Sequence, residues 1–186
     1  MKTLIIFCAL KEEIDFSILN PDIKIIFTGI GKVNSAIKAF ENLQNFINPN
    51  NIFVLSVGTA GSNRKDTIQI GDIHYCKYFI QRDCNVEGYP QKEYHFSLPD
   101  KFDSICNSGD NFHDEPIDSN IHMLFEMEAY AIAAVCEYLG IKHFGAIKIV
   151  SDIVGENSQE LWRDKIKPLS TKLTEELNIF YKNFNK

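Results

Sequence analysis

A chain of 186 residues is expected to form one domain, since domains commonly run to roughly 100–200 residues, and it is long enough to bury a sizeable core. The formal net charge of −6 and the lack of a basic run argue against nucleic acid as the main partner. No apolar run approaches the roughly 18 residues that a membrane span needs.

Thr3 to Ala9 reads as a buried first strand. It resembles the apolar part of a secretory leader, but Lys11, Glu12 and Glu13 follow directly and no small-residue cleavage pattern precedes them. Leu10 to Ile14 is a loop or the first turn of a short helix, and Asn20-Pro21-Asp22 is a turn. Ile23 to Thr28 is a second strand. Gly29-Ile30-Gly31-Lys32-Val33-Asn34 leads into a helix whose expected apolar face is Val33, Ile37, Phe40 and Ile47, with Ala36 beside it. Asn48-Pro49-Asn50 stops that helix. Ile52 to Val57 is a third strand, ending in Gly58-Thr59-Ala60-Gly61-Ser62. Strands alternating with helices predict a largely parallel sheet with helices on both faces.

The middle is less regular. Gly71-Asp72 introduces a strand from Ile73 to Ile80, and Gln81 to Pro99 reads as a long loop. Ser104 to Cys106 is a short strand, Ser108 to Phe112 a turn, His113 to Ser119 a loop, and Ile121 to Phe125 another short strand. Two acids, Glu126 and Glu128, then flank Met127 ahead of a helix with Ala129, Ile132, Ala133, Cys136 and Leu139 on one face. Gly140 ends it. His143 to Val150 is a strand that stops at Ser151-Asp152. A last helix begins near Glu160, with Pro168 at a break or a new first turn.

Ligands of open α/β sheets bind beyond the carboxyl ends of the strands. Glu128, opening a helix, and Asp152, closing the next strand, are therefore placed to face one pocket. The plainer reading is that Glu128 complements the helix dipole and Asp152 caps the element after it. Gly29-x-Gly31 lacks the third glycine of a dinucleotide fingerprint and is not a P-loop; it is either a tight turn or a close approach of backbone to a small ligand. Gly58 to Gly61 is likewise a turn, or a strand end whose small residues Ala60 and Gly61 leave room for a ligand and whose N–H groups donate to an oxygen. The five cysteines are odd in number, widely spaced and without CxxC, so no zinc site or disulfide framework is expected. The histidines show no metal spacing. Reduced thiols fit the cytoplasm.

The order of these pieces says more than each alone. Ala9-x-x-x-Glu13, Gly29 to Asn34, Gly58 to Gly61, Gly71-Asp72-Ile73, Ser108 to Phe112, Glu126-Met127-Glu128-Ala129 and Ser151-Asp152 together resemble the nucleoside phosphorylase and nucleosidase superfamily. The chain is most similar to its methylthioadenosine/S-adenosylhomocysteine nucleosidases. The resemblance spans Thr3 to about Trp162. It implies a three-layer αβα sandwich with a mixed, largely parallel central sheet. It also implies hydrolysis of the N-glycosidic bond of a 5′-substituted adenosine, with release of adenine and no cofactor or metal. By resemblance, Asp152 is the general acid on the purine, helped by Ser151, and Glu13 holds and activates the water, helped by Thr59. Glu128 binds the ribose hydroxyls with Met127 packed on the sugar, Phe112 stacks on the base, and Ile30 and Trp162 line the pocket near the 5′ group. A homodimer is implied, with the Gln81 to Pro99 loop, carrying Tyr89 and Tyr94, at the interface.

The chain departs from the family in four places. Lys148, which the resemblance counts with the substrate-binding residues, stands where the nucleosidases usually carry an arginine, Thr59 replaces a serine, and the segments Glu13 to Gly29 and Phe112 to Glu126 are short. These leave open a futalosine-type nucleosidase, a phosphate-dependent phosphorylase using Lys32 or Arg64, and a non-catalytic nucleoside-binding protein.

Overall fold

The structure, a computed structural model, describes residues 2–63, 67–112, 121–155, 158–184 and 186, with backbone alone for 158–161. Eight strands and three helices are described: β1 (Thr3–Cys8), β2 (Ile25–Phe27), α1 (Lys32–Leu43), β3 (Ile52–Ser62), β4 (Ile73–Gln81), β5 (Tyr94–His95), β6 (Ser104–Ser108), β7 (Leu124–Glu126), α2 (Ala129–Tyr138), β8 (Phe144–Ile153) and α3 (Ser158–Phe184). The sheet is mixed. β1 pairs in parallel with β2 and β3, β3 with β8, β4 with β6, and β6 with β7. β3–β7, β4–β5 and β4–β8 are antiparallel. The pairings β3–β8–β4–β6–β7–β3 close on themselves, so the sheet is strongly curled, with β1 and β2 extending it beyond β3.

Two apolar clusters make the outer layers. On one face Ala39 and Leu43 of α1 and Ala129, Ile132, Ala133 and Cys136 of α2 pack with Phe7, Val54 and Phe144. On the other, Leu169, Leu173, Leu177 and Phe180 of α3 pack on Leu55, Ile147 and Ile149. This is the expected three-layer αβα arrangement.

Four local expectations change. β3 runs on through Gly58 to Ser62, and β8 through Ser151 and Asp152 to Ile153, because the two strands keep pairing across a register shift between Ala60 and Gly61. The Gly58 to Gly61 stretch is therefore strand, not turn. The expected loop after β4 carries β5, which pairs with Tyr78 and Phe79. Pro168 lies inside a continuous α3. An interior proline costs roughly 3 kcal/mol, but burying four large apolar side chains of α3 is worth about 1.5–3 kcal/mol each, so packing outweighs the break. The expected loop His113 to Ser119 lies outside the described residues.

The fourth change is the face of α1. Ser35, Ala39 and Leu43 are buried, whereas Val33, Ile37 and Phe40 are 69%, 51% and 40% exposed. The small side chains of Ser35 and Ala39 let α1 approach α2, and the bulky stripe is turned outward. Among the described residues no helix is long and apolar enough to cross a membrane.

Candidate active site

The carboxyl ends of β1, β3 and β8, the start of α2 and the first turns of α3 converge on a cavity of about 300 Å³. Glu13, Thr59, Ala60, Gly61, Ser151 and Asp152 line its floor, and Met127 and Glu128 one wall. Ile30, Phe112 and Trp162 complete it. Lys148 is the one predicted site residue that does not line it.

Glu13 sits in a 3-10 turn after β1 and is buried. Its Oε1 accepts from the Thr59 N–H and the Thr59 hydroxyl, each at 2.8 Å. Its Oε2 accepts from the Leu10 N–H at 3.1 Å and contacts the Cys8 thiol at 3.4 Å. Burial first, and the nearby Glu13 charge second, push that thiol well above the ordinary range. The glycines of β3 have a specific use here. A Cβ on Gly58 would stand 3.0 Å from Glu13 Oε1, and one on Gly61 would stand 2.7 Å from Asp152 Oδ2. The strand end is thus small because two carboxylates lie against it.

Asp152 is 4% exposed, and its Oδ1 accepts from Ser151 Oγ at 2.6 Å. The next helix, α3, begins at Ser158. The Glu128 side chain makes no capping hydrogen bond to α2. At the start of that helix Glu126 Oε2 accepts from Glu128 N–H at 3.1 Å and Ala129 N–H at 2.8 Å, and Ser108 Oγ accepts from Tyr130 N–H at 2.9 Å. Glu128 instead takes the Gly31 N–H at 2.9 Å. So the Gly29-x-Gly31 turn, with both glycines at positive φ, brings its backbone to a protein carboxylate. The first N–H of α1, that of Lys32, is taken by Asp110 at 2.7 Å.

Lys148 corrects an expectation. It lies beneath the cavity, 2% exposed, with its Nζ 3.0 Å from Glu126 Oε2. A buried ammonium needs a paired charge, and Glu126 supplies it. Burial opposes the charge on both partners, but mutual attraction outweighs it: Glu126 is held below the ordinary carboxylate range and Lys148 above the ordinary amine range. Glu128 then lies buried beside an already ionised Glu126. Burial first, and that charge second, raise its carboxyl to about 8.

The raised value has a consequence for stability. The unfolded chain binds this proton only below the ordinary value near 4.5, so the protonated carboxyl favours the folded state fully below that pH. The contribution is lost as pH rises through about 8. Between pH 7 and 9 the loss is about 1 kcal/mol, or roughly 2–4 °C in Tm for a chain of this size. Glu128→Gln, which cannot ionise, is expected to remove this part of the pH dependence. Melting curves at the two pH values check it, and an equal fall in both proteins would refute it.

Arg82, just past β4, also borders the cavity and carries no sequence signal. Its guanidinium is committed to backbone, donating to the carbonyls of Asn107 at 2.8 Å, Glu126 at 3.1 Å and Gly109 at 3.3 Å, and to that of Asn111. It thereby ties the Phe112 turn to the start of α2. Phe125, Val154 and Arg163 are further lining residues that sequence patterns did not mark. Lys32 is ion-paired with Asp83, and Arg64 lies outside the described residues. Among the described residues no group of three or more histidine, cysteine or acidic side chains is arranged to hold a metal.

No family model matches the chain. A curated relative, the 5′-methylthioadenosine/S-adenosylhomocysteine nucleosidase of Marinomonas sp. (strain MWYL1), is 25% identical over 177 residues, covering 78% of this chain and 74% of the relative. Among solved structures, a mutant of the Helicobacter pylori nucleosidase with 5′-methylthioadenosine in its active site superposes with a TM-score of 0.80 at 17% identity, covering 98% of this chain and 99% of that one. A futalosine hydrolase mutant of Helicobacter pylori gives 0.81 at 17% identity, covering 98% and 100%. The Neisseria meningitidis nucleosidase in complex with methylthio-immucillin-A gives 0.78 at 20% identity, covering 95% and 97%.

Proposed function

We propose that this chain, which belongs to the nucleoside phosphorylase and nucleosidase superfamily, is a purine nucleosidase that uses water to release adenine from a 5′-substituted adenosine such as methylthioadenosine or S-adenosylhomocysteine. The observation that carries this is a single cavity that collects Glu13, Glu128 and Asp152 from three separate elements. The reaction needs three things that these groups can supply: an acid for the leaving base, a hold on the ribose and an oxygen nucleophile at the anomeric carbon.

Asp152, desolvated and held by Ser151, delivers a proton to the imidazole nitrogen of the purine as the bond from C1′ to the base breaks and its electrons pass to the base. A free aspartic acid has a pKa near 3.9, and a general acid works best with a value near the operating pH. Glu128 holds the ribose hydroxyls against Met127, and the Glu13 carboxylate of the same cavity favours the cationic character the sugar gains in the transition state. Glu13 holds the water that adds to C1′ and takes up its proton. Phe112 stacks on the base, while Ile30 and Trp162 bound the 5′ group.

Water is favoured over phosphate by the charges at the floor. The group that holds the attacking oxygen is Glu13, and an anion there meets like charge. Lys148 is committed to Glu126 and Lys32 to Asp83. The test is a panel of methylthioadenosine, S-adenosylhomocysteine and futalosine, each with and without phosphate. Adenine and a free sugar are expected from the first two in phosphate-free buffer. A strict need for phosphate would overturn the reading, turnover of futalosine alone would reassign the substrate, and no product at all would favour a binding protein.

The outward stripe of Val33, Ile37 and Phe40, continued by Tyr138 at 80% exposure, supports a second copy of the chain as its cover. In the Gln81 to Pro99 loop Tyr89 is exposed, whereas Tyr94 packs on Tyr130 at 5.0 Å. A dimer mass by light scattering is expected; a monomer at working concentration would count against it.

A further inference from the structure

Trp162 does more than bound the cavity. Its indole Nε1 lies 2.9 Å from Thr59 Oγ1, and Thr59 Oγ1 lies 2.8 Å from Glu13 Oε1. An indole N–H can only donate, and a threonine hydroxyl has a single proton. Thr59 must therefore accept from Trp162, which leaves its own proton for Glu13. The direction of both hydrogen bonds is set by the donor inventory alone. Residues from α3, from β3 and from the turn after β1 are joined in one chain.

We propose that Trp162 is a positioning residue for Glu13, acting through the Thr59 hydroxyl. The proposal rests on reading Glu13 as the group that holds the attacking water. With Trp162 in place, Oε1 is held by two Thr59 donors, the N–H and the hydroxyl. Oε2 has one backbone donor and the Cys8 thiol at 3.4 Å, and a thiol is a weak donor. Oε2 is thus the oxygen whose bonding a water can take over, and the carboxylate plane is set from the opposite side. Losing the indole N–H frees the Thr59 hydroxyl to rotate, and Glu13 loses its fixed orientation without losing any direct contact to substrate.

The chain has one tryptophan, so its indole N–H gives a single resonance. In the wild type that proton is expected to exchange slowly with solvent. Exchange should quicken about tenfold or more in Thr59→Val and stay slow in Thr59→Ser. In kinetics, Trp162→Phe keeps the ring but not the donor. Its kcat should fall about 10-fold to 100-fold, the scale of a misplaced catalytic group, with KM changed by less than about threefold. In a Thr59→Val background Trp162→Phe should cost nothing more. Should Thr59→Val fail to fold, Thr59→Ala carries the same comparison. Fully multiplicative losses in the double variant, or an indole proton that exchanges at a free rate in the wild type, would overturn the proposal. If the wild type releases no base from any nucleoside, the functional reading falls, while exchange still decides the hydrogen-bonded chain.

Discussion

Asp152→Asn is expected to lower turnover by roughly 10²–10⁴-fold, the usual worth of a positioned general acid. The change keeps size and shape in a place where both are tightly set, since Oδ2 lies against Gly61. Asparagine still accepts from Ser151 Oγ through its carbonyl, and its amide still donates to a purine nitrogen, but it has no titratable proton to deliver. Binding of an inert purine nucleoside analogue should therefore survive in part. Stability should hardly change, because asparagine keeps the size of aspartate and caps a helix about as well. The loss amounts to about 3–5 kcal/mol at the barrier, at about 1.4 kcal/mol per tenfold. Single-turnover rates with methylthioadenosine measure it. Near-normal turnover in a folded variant would mean that another group protonates the base.

Lys148→Met is expected to cost about 3–5 kcal/mol of stability, the scale seen when one partner of a buried ion pair is removed. That is a large share of the roughly 5–15 kcal/mol that holds a typical domain together. Methionine fills much of the space of the lysine stem, so the loss is electrostatic: Glu126, buried at the start of α2, keeps its backbone partners but loses its counter-charge. Adding Glu126→Gln should recover much of the loss, because the neutral amide needs no counter-charge. Its carbonyl, in the place of Oε2, can still accept from the Glu128 and Ala129 N–H groups. Chemical denaturation of the single and double variants decides the matter. A loss under about 1 kcal/mol in Lys148→Met would mean that Glu126 is neutral in the native protein and that the ion pair does not support the start of α2.

Much of this was legible in the linear chain because it depends on short-range patterns. β1, β3, β4 and β8 are apolar runs bounded by glycine and polar residues. α2 carries an apolar periodicity and stops at Gly140, which adopts positive φ and donates to the Glu137 carbonyl at 3.0 Å. The residues marked by resemblance, from Glu13 to Trp162, meet in one cavity with Lys148 the exception, since the strand ends that carry them lie on one side of the sheet.

What the chain alone left undecided has a common physical cause. Periodicity tells which residues share a face, not which face meets the core. The spacing of α1 marks Val33, Ile37 and Phe40, but close approach to α2 is possible only over Ser35 and Ala39. Likewise, two glutamates flank Met127, and nothing local says which one serves the helix and which the cavity. That is settled by groups far away in sequence, Lys148 and Ser108 for Glu126 and Gly31 for Glu128. Lys148, Arg82 and the link from Trp162 through Thr59 to Glu13 were hidden for the same reason: a buried charge or hydroxyl takes whatever partner the packing of distant elements brings within reach. The sequence by itself determined the longer strands, the α2 face and the set of acids; the tertiary structure decided which partners and which burial each acid has, because burial and partner charge exist only once the elements are packed.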